Sequence, residues 1–143
     1  MAPSYHVSVE DEFSLEDVAI VHEGLREFNT LKAGPSNRTR LAVFLRDPSG
    51  KVVGGLIGET SWQWLYVDAF WIDDSVRGQG YGARMLRAAE TRARERGCTD
   101  AYLDTFSFQA LPFYEKEGYA RYGTLEGFPP GHRRFYLRKR LKE

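Results

Sequence analysis

The residues with the clearest chemistry are three glycines at alternate positions, Gly78, Gly80 and Gly82, in the run Arg77-Gly78-Gln79-Gly80-Tyr81-Gly82-Ala83. With no Cβ atoms, the backbone there can approach a ligand closely and adopt torsions that other residues resist. Phe70-Trp71-Ile72 ahead of the run closes an apolar strand, and Met85-Leu86 after it opens an amphipathic helix. A helix start offers unpaired N–H groups and the positive end of the helix dipole. Strand end, glycine turn and helix start together predict an anion cradle, most often for phosphate. Arg77 adds a positive charge at its mouth.

A P-loop would end in Gly-Lys-Ser or Gly-Lys-Thr, which this run lacks. A dinucleotide fingerprint fits superficially, through Gly78-x-Gly80-x-x-Ala83 and an acidic residue, Asp104, roughly 20 residues on. Its topology does not fit. Asp73 to Arg77 separate strand from glycines, repeated strand–helix units do not precede them, and the roughly 60 residues that follow cannot complete a doubly wound sheet. The segment instead resembles the acetyl-coenzyme A motif of the GNAT superfamily of N-acetyltransferases. A second segment, Ser107 to Tyr119, is similar to another GNAT signature: an Ala and an aromatic-Tyr pair on a short helix that ends in Gly and an aromatic. Ala110, Phe113, Tyr114, Gly118 and Tyr119 match it, and Ser107 stands where many members carry Asn.

The resemblance implies an α/β (α+β) fold, with a twisted, mixed but mostly antiparallel sheet of about six or seven strands and three or four flanking helices. It implies a parallel strand pair splayed around acetyl-coenzyme A. The backbone of Arg77, Gly78, Gln79, Gly80, Tyr81 and Gly82 would bind the pyrophosphate, with Phe70, Trp71, Ile72, Ser107 and Phe113 completing the cofactor contacts. The implied reaction is direct transfer of an acetyl group to the amine of a small molecule or peptide in a ternary complex. A homodimer is common among such proteins.

That chemistry sets demands. An alkyl ammonium, with a pKa near 10, must lose a proton before it attacks. The leaving thiolate gains from a proton donor, and Tyr114 occupies the family's usual acid position; a phenol can donate while neutral at pH 7. Packing under the cofactor would also account for its ring. Asp68 interrupts an apolar strand, where a carboxylate must be paired, solvated through a cleft or raised in pKa. It reads equally as a surface ion-pair member or as the base facing the amine, with Glu59 and Asp104 as other candidates. Backbone N–H groups near Phe70 to Ile72 would meet the developing oxyanion. Glu59, Trp62, Trp64, Asp104 and Asn29 are candidate acceptor contacts, although core packing explains the two tryptophans as well. A non-catalytic module that senses acyl-coenzyme A would share the cradle; Tyr114 and Asp68 argue against it.

The elements that must position these groups follow from pattern. Tyr5 to Val9 alternates as a strand. Ser14 caps a helix that fades near Asn29. Leu41–Leu45 and Val52–Gly58 form a hairpin around Asp47-Pro48-Ser49-Gly50. Leu65–Ile72 is a central strand whose near-continuous apolar character suits cover on both faces. The helix to Arg96 buries Met85, Leu86, Ala89 and Ala93 and turns Arg84, Arg87, Glu90, Arg94 and Glu95 outward. Ala101–Phe106 should pair in parallel with Leu65–Ile72. Strands at Arg121–Gly123 and Arg134–Lys139 flank a loop at Gly127–His132.

At 143 residues the chain fits one domain, spanning 1–143, with an ordinary core. Equal numbers of acidic and basic residues, 20 each, give no case for nucleic acid or an anionic membrane as partner. The single cysteine, Cys98, forms no intrachain disulfide, and the three histidines show no zinc spacing. No signal-peptide pattern or membrane-length apolar run occurs, so the expected location is cytoplasmic.

Overall fold

The structure is a computed structural model and describes residues 3–142. It divides into two compact units at the Ser36/Asn37 boundary. The first contains one helix, α1 (Leu15–Ala33). Ser14 caps it, its Oγ accepting the Asp17 N–H at 3.1 Å. The helix continues beyond Asn29, where composition predicts it to fade. No breaker intervenes before Gly34, which has φ +80° and donates its N–H to the Thr30 carbonyl. Tyr5 to Val9 does not form the expected strand. Alternation alone does not make one, because a strand's N–H and C=O groups need a ladder partner.

The second unit is built on six strands in the order β1-β2-β3-β4-β6-β5. These are β1 (Thr39–Arg46), β2 (Val52–Ser61), β3 (Trp64–Ile72), β4 (Asp100–Phe106), β5 (Ala120–Glu126) and β6 (Arg133–Arg140). Helices α2 (Tyr81–Glu95) and α3 (Leu111–Lys116) accompany them. Every neighbouring pair is antiparallel except β3–β4, which is parallel. The fold is therefore the mixed, mostly antiparallel α/β arrangement that the motifs imply.

One sheet face carries the core. Leu56, Leu65, Val67, Leu103, Phe135 and Leu137 pack with Leu86, Ala89 and Ala93 of α2 and with Tyr114 of α3. The central strand is not covered on both faces as its composition suggests. Leu65 and Val67 are buried, whereas Trp64 and Tyr66 are half-buried and Trp71 is 53% exposed. On that second face the aromatics cover one another. Tyr66 stacks on Tyr102 at 4.8 Å, and Trp64 meets Tyr102 edge-on at 5.8 Å.

Glu90 also departs from its helical-wheel assignment. It is 2% exposed, not outward-facing, and it accepts hydrogen bonds from Tyr119 Oη at 2.8 Å and Lys139 Nζ at 2.9 Å. A buried carboxylate is tolerable only with such partners. They tie α2, β6 and the residues after α3 together, so the second signature's terminal Tyr119 has a structural role. Among the described residues no helix is long and apolar enough to cross a membrane.

Candidate functional site

The cradle takes the form its glycines predict. Asp73 accepts the Ser75 N–H and starts a 3-10 turn, Asp74–Val76. Gly78 and Gly80 then have φ of +74° and +85°. Residues with side chains resist that region. A Cβ at either position would meet no protein atom within 4 Å, so open space lies where a side chain would project. Gly80 is the N-cap of α2 and supplies no side-chain bond to the first turn. Among the described residues, no hydrogen bond takes up the backbone N–H groups of Gly78 to Ala83. These donors and the dipole fit a diphosphate.

Arg77 has a different role from the one its charge suggests. Its backbone N–H donates to the Asp74 carbonyl at 3.3 Å, its Nε to the Ile72 carbonyl at 2.7 Å, and its guanidinium pairs with Asp74 at 2.6 Å. It braces the turn, and the free donors begin at Gly78. Gly82 lies in the first turn of α2, where a Cβ would be in contact with Ile72 and Phe113 at 3.4 Å. Phe113 in turn meets Phe70 edge-on at 6.1 Å.

A gap opens beside the cradle. β3 and β4 pair only through Val67↔Leu103, after which residues 68–72 have no partner on the β4 side. A bulge against β2 opens at the same point. Ile57 opposes Ala69 and Gly58 opposes Val67, leaving Asp68 as the extra residue, exposed to solvent. Gly58 is required there, since a Cβ would collide with the Tyr66 carbonyl oxygen. The glycine-rich strand β2 thus has both a bulge beside it and a close backbone approach at Gly58.

Tyr114 approaches from the helical face. It is 8% exposed and lies against Phe70 and Phe113. Burial, with a smaller contribution from the negative charge of Asp104, pushes its phenol up to about 12. Burial, Asp104 and Asp68 likewise raise Tyr66. Tyr66 Oη lies 3.5 Å from Asp68 Oδ1. The structure thus gathers Tyr114, Asp104, Tyr66 and Asp68 around the point where the parallel strands part.

The two other carboxylate candidates are already paired, and the remaining candidates lie elsewhere. Asp104 pairs with Arg134 at 2.7 Å, and Glu59 pairs with Arg38. The Ser107 hydroxyl accepts the Arg133 N–H at 3.0 Å. Trp62 sits with Gln63 in the β2–β3 turn, both at positive φ, and Trp64 lies under Arg138 at the far end of β3 from the bulge. Asn29 is on α1 in the first unit. A cavity of about 660 Å³ beside the bulge is lined by Arg38, Arg40, Ile57, Gly58, Glu59, Tyr66 and Asp68. Arg38 and Arg40 were not among the sequence candidates. The only signal for them was the β1–β2 register, which places Arg40 opposite Glu59.

A six-stranded sheet with one parallel pair parting beside a glycine-lined helix start defines a coenzyme-dependent acyltransferase fold. The Acetyltransferase (GNAT) family profile matches residues 7–119, and the chain belongs to that family. Acetyltransferase Atu2258 of Agrobacterium fabrum is 36% identical over 135 residues, 90% of this chain and 98% of that protein. Blasticidin-S acetyltransferase of Streptomyces morookaense is 43% identical over 93 residues, 64% of this chain and 68% of that protein. The crystal structure of an acetyltransferase from Bacillus cereus superposes with a TM-score of 0.84 at 33% identity, covering 94% of this chain and 97% of the other.

Proposed function

We propose that the whole chain, 1–143, is one N-acetyltransferase domain, cytoplasmic and homodimeric, that moves the acetyl group of acetyl-coenzyme A directly to an amine of a small molecule or peptide. The observation that carries this reading is the convergence of the open N–H cradle, the parted β3–β4 pair and the buried Tyr114 phenol on one gap. Acetyl-coenzyme A would supply an activated acyl thioester. The backbone of Gly78 to Gly82 would hold its diphosphate, and Phe70 to Ile72, with Phe113, would flank the rest. Arg77 fixes the turn. Ser107, whose hydroxyl is engaged by β6, is left out of this set.

Asp68 sits on the exposed side of the gap and would accept the ammonium proton, with Tyr66 beside it. Tyr114 holds its proton on the other side, with a phenol that stays neutral far above pH 7. Asp104, engaged by Arg134, acts in this reading on the field around Tyr114. The blasticidin-S relative supports an amine-bearing small molecule as acceptor.

The test is acetyl-coenzyme A consumption over a panel of amines, with wild-type protein and Asp68→Asn. Turnover should fall about a hundredfold in the variant, most steeply at low pH, where the amine arrives protonated. Coenzyme A binding without turnover on any amine would instead favour a sensing module.

A further inference from the structure

The charges that line the cavity beside the bulge are balanced in number but only half paired. Its lining contains two arginines, Arg38 and Arg40, and two carboxylates, Glu59 and Asp68. Arg38 and Glu59 neutralise each other in an ion pair across the start of β1 and the end of β2. Arg40 and Asp68 form no such pair. Among the described residues Arg40 has no ion pair, hydrogen bond or aromatic ring over its guanidinium, and Asp68 has only the 3.5 Å approach of Tyr66 Oη. Two opposite charges therefore line one concavity without cancelling each other.

The backbone explains why they stay apart. Arg40, Glu59 and Tyr66 form one cross-strand row over β1, β2 and β3. Arg40 and Tyr66 are separated by two inter-strand spacings, about 10 Å. Asp68 lies beyond Tyr66, displaced by the bulge. Glu59, between them, is already occupied by Arg38. The volume, about 660 Å³, is that of a small-molecule site.

We infer that the acceptor is a zwitterion: an amine that also carries a carboxylate, its ammonium directed to Asp68 and its carboxylate to Arg40. This rests on the acetyl-transfer reading and adds a substrate class to it. A guanidinium fork matches a carboxylate in two parallel hydrogen bonds, a geometry that an ammonium point charge does not reproduce. Asp68 alone would accept any cation. Arg40 repels a dication and selects acceptors with a negative group at the other end. Arg40 is thus a specificity-determining residue, acting on substrate binding and not on the proton transfers.

The experiment compares matched acceptors: glycine, β-alanine, γ-aminobutyrate and lysine, each as free acid and as its primary amide, with acetyl-coenzyme A consumption as readout. For at least one pair, kcat/KM should favour the acid by about tenfold to a hundredfold, the range expected of one charge-assisted contact. Arg40→Gln should erase that preference through the acid's KM, with the acid's kcat near wild type and no amide slowed; lysinamide, the dication of the panel, should be used faster. Arg40→Lys should restore part of it. Arg40 is on the surface, so a thermal melt will confirm that the variants fold. Equal use of acids and amides, use of none of the acids, or a preference that survives Arg40→Gln overturns the inference. Coenzyme A calorimetry separates the layers. Tight binding with no acid preference sinks the zwitterion alone, whereas absence of coenzyme A binding sinks the acetyl-transfer reading beneath it.

Discussion

Tyr114 shows how placement would suit an ordinary residue to the acid role proposed for it. A free phenol is already neutral at pH 7, so simple protonation needs no special site. The structure adds a low-dielectric pocket between Phe70, Phe113 and the sheet, with a carboxylate, Asp104, near enough to disfavour the phenolate further. Both influences keep the proton on the oxygen, so in the proposed reaction the neutral phenol would donate a hydrogen bond to the charge developing on the departing sulfur, a weaker base than this phenolate. Tyr114→Phe should therefore lower kcat by about a hundredfold or more. Its calorimetric affinity for coenzyme A should stay within a few-fold of wild type, because the ring packing survives. A variant that turns over normally would leave Tyr114 with packing alone. Tyr114 and Asp68 were legible in the sequence because each breaks or completes a local pattern. Arg40 was not, because its meaning depends on which residue faces it across β2. The tryptophans were hard to place for a related reason. The Trp62-Gln63 turn takes positive φ at both positions without the glycine or asparagine that normally marks it, so the sequence does not show where β2 ends or that Trp62 and Trp64 fall on either side of a turn.

At the scale of elements, the functional unit is the passage from β3 through the braced turn to α2. Arg77 fastens the turn to the end of β3, Gly78 and Gly80 bend it, and α2 then presents its first-turn donors. Gly80→Val should raise the dissociation constant for coenzyme A by at least about tenfold, since a branched side chain projects into the approach and resists φ near +85°. The fold should survive. A Cβ there touches no protein atom, so the cost is backbone strain, on the order of 1–3 kcal/mol. Calorimetry on a variant shown by its melt to be folded distinguishes loss of the cradle from loss of the protein, and unaltered affinity would contradict the cradle. Most of this unit could be read in advance, since strand, glycine run and helix carry their signals locally. What escaped was interaction between elements. Glu90 looks exposed on a helical wheel, and only the arrival of Tyr119 and Lys139 makes its burial tolerable. Tyr5 to Val9 alternates as a strand should, yet a strand is a property of a pair.

For the molecule as a whole, the buried phenols couple stability to alkaline pH. Tyr114 is pushed up to about 12 by burial and Asp104. Tyr119 is raised in the same direction by burial, the Glu90 charge and its hydrogen bond to Glu90. In the unfolded chain both titrate near pH 10. Below that pH each phenol is neutral in both states and the folded protein has its full stability. As pH rises further, the unfolded chain releases protons that the folded chain retains, so the equilibrium shifts toward unfolding until the folded-state value is passed. For Tyr114 the window is pH 10 to 12, and a two-unit difference corresponds to about 3 kcal/mol. Denaturant unfolding of wild type and Tyr114→Phe, measured at intervals from pH 8 to pH 12, reads this directly. Wild type should lose about 3 kcal/mol more than the variant across that window, with Tyr119, Tyr66 and Tyr102, all raised by burial, contributing to the remaining downward slope in both. Parallel curves would mean that the Tyr114 phenol ionises as readily in the folded protein as in the unfolded chain. The proton held for the leaving thiolate would then have no structural protection.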